Sequence, residues 1–152
     1  MKVFCVFLLV SFSYGLPTDS KGTKLSAPNL TRLTAMESDG GYSERINWDA
    51  VVSDDASDPV VGYKVNIWEV KKIKSTKYSY VNGTLQKREE EIEPPIDFDN
   101  GPEGTPTVLL TPANQTEVTF NIKLHVTYEI RIQAYTKNID GPLSSPDRIQ
   151  LD

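Results

Sequence analysis

The chain is predicted to fold as an all-β, antiparallel sandwich of about seven strands, and three observations predict it. Residues 128–135 alternate strictly: Tyr128, Ile130, Ile132 and Ala134 face one way, Glu129, Arg131, Gln133 and Tyr135 the other. Val61, Tyr63, Val65 and Ile67 alternate in the same manner with Gly62, Lys64, Asn66 and Trp68. Such a two-residue period fixes register, because a slip of one residue would move every apolar group to the opposite face. Gly and Pro recur throughout and no stretch sustains a helical period, which excludes helical enzyme folds.

The elements follow in order. Residues 1–15 have the three parts of a secretory signal, with Lys2 for charge, an apolar run Val3 to Val10 with Phe12, and Ser13-Tyr14-Gly15 before the expected cleavage point. The run is too short for a membrane span, and no other stretch is long and apolar enough. The expected product is secreted and extracellular. Cys5 lies inside this leader, so a processed chain of 137 residues has no thiol and must be held by burial alone. Losing Lys2 takes Lys plus Arg from 16 to 15 against 21 Asp plus Glu, a net charge of about −6 that disfavours nucleic acid and anionic membranes as partners.

Residues 16–26 read as a flexible N-terminal segment, and 27–152 as one domain. Within it, Pro28 to Thr34 predicts a first strand, Asp39-Gly40-Gly41 a turn, and Glu44 to Trp48 a second strand. Asp54 to Pro59 is a loop before the strand that starts at Gly62. Val118, Phe120 and Ile122 supply a strand ahead of Tyr128, and Leu143, Ile149 and Leu151 a weak last one whose Pro146 suits an edge. The acceptor triplets at Asn29, Asn82 and Asn114 fit an exported glycoprotein.

Trp48 closing its strand, Gly62-Tyr63-Lys64-Val65 opening the next, and Tyr128 to Tyr135 ahead of Gly141-Pro142-Leu143-Ser144 resemble the fibronectin type III pattern of immunoglobulin-like sandwiches over residues 27–152. The resemblance implies that Trp48, Tyr63 and Tyr128 are structural core residues. It makes Trp48 the central aromatic, whose indole N–H should find an acceptor. It gives Tyr128 the corner role, with its hydroxyl bonded to backbone a few residues upstream. Ile122 fits the leucine that the family places six residues before that tyrosine, and Leu124 departs from the proline four before.

The chain also departs from the family in length. Residues 71–108 form a long insertion between the third and fifth strands, C and E in the family's lettering. Lys77 to Val81 and the residues after Asn82-Gly83 read as an added hairpin, since Asn-Gly suits a type I′ turn. Glu89-Glu90-Glu91-Ile92-Glu93-Pro94-Pro95, followed by Asp97, Asp99 and Glu103, reads as a solvated acidic loop.

No catalytic residues are assigned. His125 is the one histidine and no mature cysteine remains, so neither a nucleophilic triad nor a zinc site assembles, and no enzyme activity or cofactor is expected. His125 itself reads as an exposed residue beside the tyrosine corner. Asp97-Phe98-Asp99-Asn100-Gly101 offers closely spaced oxygens, yet its spacing fails the EF-hand pattern and a plain turn is favoured. Asp54, Asp55 and Asp58 in one loop, with Asp140 in another at the same pole, read first as solvated carboxylates. Asp97, Asp99, Asp54 and Asp55 stand as weak calcium candidates.

Trp68 is out of pattern, pointing off the core beside Lys64, Asn66, Arg131 and Tyr135. Left bare, Lys64, Trp68, Arg131 and Tyr135 have the composition of a partner-binding face. The favoured alternative is that the inserted segment, with Tyr78, Tyr80 and Ile92, folds over Trp68 and that Arg131 stacks on it. The functional expectation is a secreted, non-enzymatic acidic glycoprotein serving as a matrix or adhesion-type binding module, in a mineralised matrix by the calcium reading. The alternative is a soluble signalling or decoy protein that binds one protein partner through that face and the inserted loop.

Overall fold

The computed structural model describes residues 24–38 and 40–152, and among these every regular element is a strand. The leader at 1–15 and most of 16–26 lie outside the described residues, as does Asp39 of the expected turn. Among the described residues ten strands form, eight in two sheets against the expected seven or so, and two in the added hairpin. They are β1 (Leu30–Ser38), β2 (Gly41–Trp48), β3 (Gly62–Glu69), β4 (Ile73–Val81), β5 (Thr84–Ile92), β6 (Thr107–Pro112), β7 (Glu117–Ile122), β8 (Tyr128–Tyr135), β9 (Asp140–Leu143) and β10 (Asp147–Ile149).

One sheet has the order β1-β2-β7 and the other β10-β8-β3-β6, with β9 also paired to β8. All pairings are antiparallel. The alternation read in β3 and β8 is the observed register: Tyr63, Val65 and Ile67 are buried with Tyr128, Ile130, Ile132 and Ala134 in one cluster, which Ile46 and Trp48 of β2 and Ile122 of β7 join from the other sheet. Two edge-to-face aromatic pairs cross between the sheets, Trp48 on Tyr63 and Phe120 on Tyr128, each with ring centroids 5.4 Å apart. This is the arrangement of an antiparallel β-sandwich. Pairs of this geometry contribute about 0.5–1.5 kcal/mol beyond their area.

Polar atoms of the core aromatics are treated unequally. The Tyr128 hydroxyl accepts from the Lys123 amide at 3.2 Å, a bond to backbone five residues upstream, and the Tyr63 hydroxyl accepts from the Val51 amide at 3.0 Å. Trp48 is 3% exposed, and its Nε1 has no partner among the described residues, against the expectation of an acceptor. An unsatisfied donor costs about 1–3 kcal/mol. Burying an indole returns about 4–6 kcal/mol, so the ring stays inside.

The ordered chain begins earlier than the sequence implies. Leu25, placed in the flexible segment, is buried in the core, and the Lys24 amide donates to Asp54 Oδ1 at 2.7 Å. A Cβ on Gly141 would lie 2.9 Å from that of Leu25, so the glycine leaves room for this N-terminal anchor. Gly62 has a comparable reason. A Cβ there would lie 2.7 Å from the Tyr135 hydroxyl, and closer still to the Thr111 carbonyl oxygen.

The inserted segment is more regular than expected. The Asn-Gly hairpin forms, with β4 and β5 paired from Ile73↔Ile92 to Val81↔Thr84 as a separate two-stranded sheet. Asn82 and Gly83 have φ of 50° and 77°, the left-handed pair that a type I′ turn requires. Glu89, Glu90, Glu91 and Ile92 lie in β5 and not in an acidic loop; Thr76, Ser75 and Lys74 stand opposite the three glutamates, and Lys77 is ion-paired to Glu90. Thr107 and Val108 belong to β6, which pairs with β3, so the extra chain lies between β3 and its sheet neighbour.

Two outcomes test this account. Gly62→Ala should destabilise the domain by about 1–3 kcal/mol in urea titrations, since neither a strand carbonyl nor a packed tyrosine yields cheaply. Glu44 is 3% exposed on the face of β2 that also buries Ile46 and Trp48, and burial pushes its carboxyl above the usual 4.5. The folded state therefore prefers the protonated form, and stability falls as pH rises through the raised value. Glu44→Gln should raise Tm at pH 7, with the gain vanishing below pH 4.5, the ordinary glutamate value.

Candidate functional site

The outer face of β8 should carry side chains that meet water, because its inner positions already fill the core. Instead Glu129 and Arg131 are 0% and 1% exposed. Arg131 donates to Glu129 Oε1 from Nε at 2.9 Å and from Nη2 at 2.6 Å. Arg148 of β10 donates from Nε to Glu129 Oε2 at 2.9 Å. One buried carboxylate thus lies between two guanidinium groups, and β10 puts them in register by pairing Arg148 with Glu129 itself. Charge-assisted bonds on both oxygens offset the cost of taking a carboxylate out of water.

The remaining donors of the two arginines hold the chain that returns from the hairpin. Arg131 Nη2 donates to the carbonyls of Asp97 and of Asn100, the latter at 2.8 Å, and Arg148 Nη1 donates to the Pro94 carbonyl at 2.6 Å. Thr127 adds hydroxyl contacts to Glu93 and to Gln150, the second at 2.7 Å. Residues 93–106 consequently form a strap docked on the sheet. Asp97 folds this strap into a tight turn by accepting from the Asn100 side chain at 3.1 Å and from the backbone amides of Asn100 and Asp99 at 3.0 and 2.9 Å. These bonds, the Asn100 side chain first, hold its carboxyl below the usual 3.8. That contribution is present above the ordinary value and is lost as the pH drops through the lowered one.

Trp68 lies under the same strap. It is 8% exposed, and a Cβ on Gly101 would come within 2.7 Å of its Cζ2. The expected open face of Lys64, Trp68, Arg131 and Tyr135 is therefore divided. The inserted chain covers Trp68, as the favoured alternative held, but with its glycine and not with Tyr78 or Tyr80, which are 65% and 76% exposed. Arg131 spends its guanidinium on Glu129 and the strap carbonyls and does not stack on the indole. Lys64 and Tyr135 stay partly open, with Lys64 Nζ 5.4 Å from the Tyr135 ring centroid and 2.6 Å from Asp140 Oδ2.

Cavities flank the strap. One of about 410 Å³ is lined by Pro94, Pro95, Pro102, Lys71, Lys72 and Arg148, and another of about 270 Å³ by Trp68, Glu103, Gly104, Phe120 and Tyr128. Neither gathers a nucleophile with a base. Among the described residues no group of three or more His, Cys, Asp or Glu comes together to hold a metal. Asp54 accepts from Lys24, Asp58 is buried and accepts from Thr136 Oγ1 at 2.8 Å, and Asp55 accepts from the Ser57 hydroxyl and amide. Asp99 is exposed beside the Asp97 turn. His125 is exposed with a φ of 61°, and its amide donates to the Leu151 carbonyl. Asn29, Asn82 and Asn114 are all exposed.

Sequence reasoning missed the Glu129, Arg148 and strap-carbonyl arrangement. Charged residues at the outward positions of a strand carry the same signal whether they meet water or a second layer of chain. The available hint was an insertion long enough to supply that layer.

No protein-family model matches the chain, and no curated protein matches it. A solved structure described as "Myokine structure" is 15% identical with a TM-score of 0.38, covering 83% of this chain and 98% of that one. At that level the fold description rests on the strand order itself. No helix among the described residues is long and apolar enough to cross a membrane.

Arg131→Ala should cost about 3–5 kcal/mol, because it leaves the buried Glu129 with one cation and the strap carbonyls without donors. Hydrogen exchange should accelerate across residues 94–101 more than across β2 and β7. Urea unfolding within about 1 kcal/mol of the parent would mean that Arg148 alone holds the strap.

Proposed function

We propose that the chain is a secreted, non-enzymatic binding module with a fibronectin type III-like sandwich, meeting one extracellular protein or matrix component through the open half of its outer sheet face. The observation that carries this reading is an apolar patch beside Lys64 and Tyr135. Val108 and Leu110 of β6 are 45% and 66% exposed, and they pair across the ladder with Asn66 and Lys64. Directly opposed residues share a face, so both project outward from the sheet with Lys64. Tyr135 pairs with Gly62 one step along the same sheet. Aromatic, aliphatic and cationic groups at the centre of a patch are the composition of binding hot spots.

The strand that carries the patch adds to the argument. Among the described residues β6 pairs with β3 on one side and with no other strand on the second, which leaves backbone donors and acceptors along a sheet edge next to the exposed side chains. A protein partner is favoured over mineral, because the carboxylates of Asp54, Asp58, Asp97 and Asp140 already have partners in their own chain. The fibronectin-like assignment rests on the three-strand and five-strand sheets, the Tyr128 corner bond and the Trp48 core.

Leu110→Arg should weaken capture of the partner by about 2 kcal/mol while leaving Tm unchanged, and Tyr135→Ala should weaken it as much while also lowering Tm, because that ring packs against Gly62. Affinity purification from extracellular fluid and from insoluble matrix, with the parent and both variants, reads this directly. Equal recovery by all three would remove this face from the binding account, and a parent chain confined to cells would remove the extracellular one.

A further inference from the structure

We infer that Asn82 carries an N-linked glycan whose first sugars pack on Tyr80 and Leu85 and cover the tip of the β4–β5 hairpin. The inference rests on the secretory reading above and goes beyond it by assigning the glycan a structural contact.

Among the described residues nothing covers the apolar tip of the hairpin. Tyr80 is 76% exposed and its cross-strand partner Leu85 52% exposed, while Tyr78, two residues back on the same face, is 65% exposed. Val81, at 42%, pairs with Thr84 at the turn. Among the described residues β4 and β5 pair with each other and with no third strand, and an isolated two-stranded hairpin is marginal in water. Exposed tyrosine and leucine at the end of such an arm are a liability unless something covers them.

The acceptor triplet sits at that point. Asn82 and Gly83 are the two central residues of the turn, and Thr84 is its last, directly across from Val81. A sugar on Asn82 starts about 7 Å of extended chain from Tyr80, within reach of a mono- or disaccharide. A pyranose has a face of axial C–H groups with slight positive charge, which complements the negative face of a tyrosine ring, and Leu85 extends the apolar floor beside it. The other two acceptors lack this setting. Asn29 already donates its amide nitrogen to Asp49 Oδ2 at 2.9 Å, and Asn114 is flanked by Pro112, Ala113, Gln115 and Thr116, with no aromatic within two residues.

The transfer needs a lipid-diphosphate-linked oligosaccharide as co-reactant. Asn82 Nδ2 forms the bond to the anomeric carbon, the diphosphate carrier leaves with the electron pair of the broken C–O bond, and the displaced amide proton goes to base. Attachment precedes folding, and the packing follows when the hairpin closes.

The test is the full chain secreted from a eukaryotic host, compared untreated, trimmed by an endoglycosidase that leaves one N-acetylglucosamine, stripped by an amidase that removes all sugar and leaves aspartate at 82, and kept bare with its asparagine intact by Thr84→Ala, which should match the stripped form. Mass spectrometry should find Asn82 occupied. Hydrogen exchange across 73–92 should be the same for the untreated and trimmed forms and about threefold faster for the stripped form, equivalent to ~0.7 kcal/mol. Tyr80→Ala should erase the difference between trimmed and stripped protein and Tyr80→Phe should keep it, with exchange in β8 as the control for folding. An unoccupied Asn82 in a secreted chain glycosylated at Asn29 or Asn114 overturns this inference and spares the secretory reading. Occupancy without any change in exchange overturns the packing, and a chain that is neither exported nor glycosylated overturns both.

Discussion

A carboxylate at 0% exposure is the constraint around which the outer half of this molecule is arranged. Glu129 cannot meet water, so its charge must be balanced in place, and Arg131 and Arg148 do so from its own strand and from the neighbouring one. Two guanidinium groups bring more donors than one carboxylate accepts. The surplus N–H groups face outward from the sheet, and the strap carbonyls of Pro94, Asp97 and Asn100 accept from them. Each requirement generates the next: the buried anion calls for cations, and the cations call for acceptors that only a second layer of chain supplies.

Apolar side chains of similar volume would hold the strap with less desolvation cost. What they would not supply is register. A guanidinium donates in fixed directions, so Arg131 accepts only a strap whose carbonyls 97 and 100 both point at one nitrogen, and the Asp97 turn is the local structure that aims them. Gly101 then brings the chain down on the indole of Trp68, where any side chain would collide. The polar ladder sets position and the aromatic contact supplies burial. Neither would place a fourteen-residue irregular segment alone.

Legibility in the sequence followed how local each signal is. The inward set of β8 was readable because four apolar residues at a two-residue period have one sensible face, and the tip of the added hairpin because Asn-Gly stores its turn type in two residues. The corner role of Tyr128 was readable only through the resemblance of its surroundings to the fibronectin type III pattern. What stayed hidden depends on partners distant in the chain. Arg131 and Glu129 look like solvated charges until residues 94–100 lie over them, and Glu89 to Glu91 look like a loop until Lys74 to Thr76 pair with them. β6 was missed because Val108 to Leu110 is a short apolar run without alternation, whose strand character comes from pairing with β3. Leu25 had no periodic neighbour at all, and only the pocket left by Gly141 makes it core.

The strap also decides which part of the sheet stays open. It seals the sheet at the rows of Trp68 with Glu129 and of Asn66 with Arg131, and stops short of the rows of Lys64 with Gln133 and of Gly62 with Tyr135. On the unsealed rows the same sheet presents Leu110, Lys64 and Tyr135, and its edge strand has no further neighbour among the described residues. Apolar groups at such an edge invite indiscriminate strand pairing, which proteins blunt with charge. Here Lys64 stands beside Leu110, paired with Asp140 and with its Nζ 5.4 Å from the Tyr135 ring centroid. An exposed ion pair of this kind contributes little to stability by itself, so the charge at this edge acts chiefly against indiscriminate strand pairing.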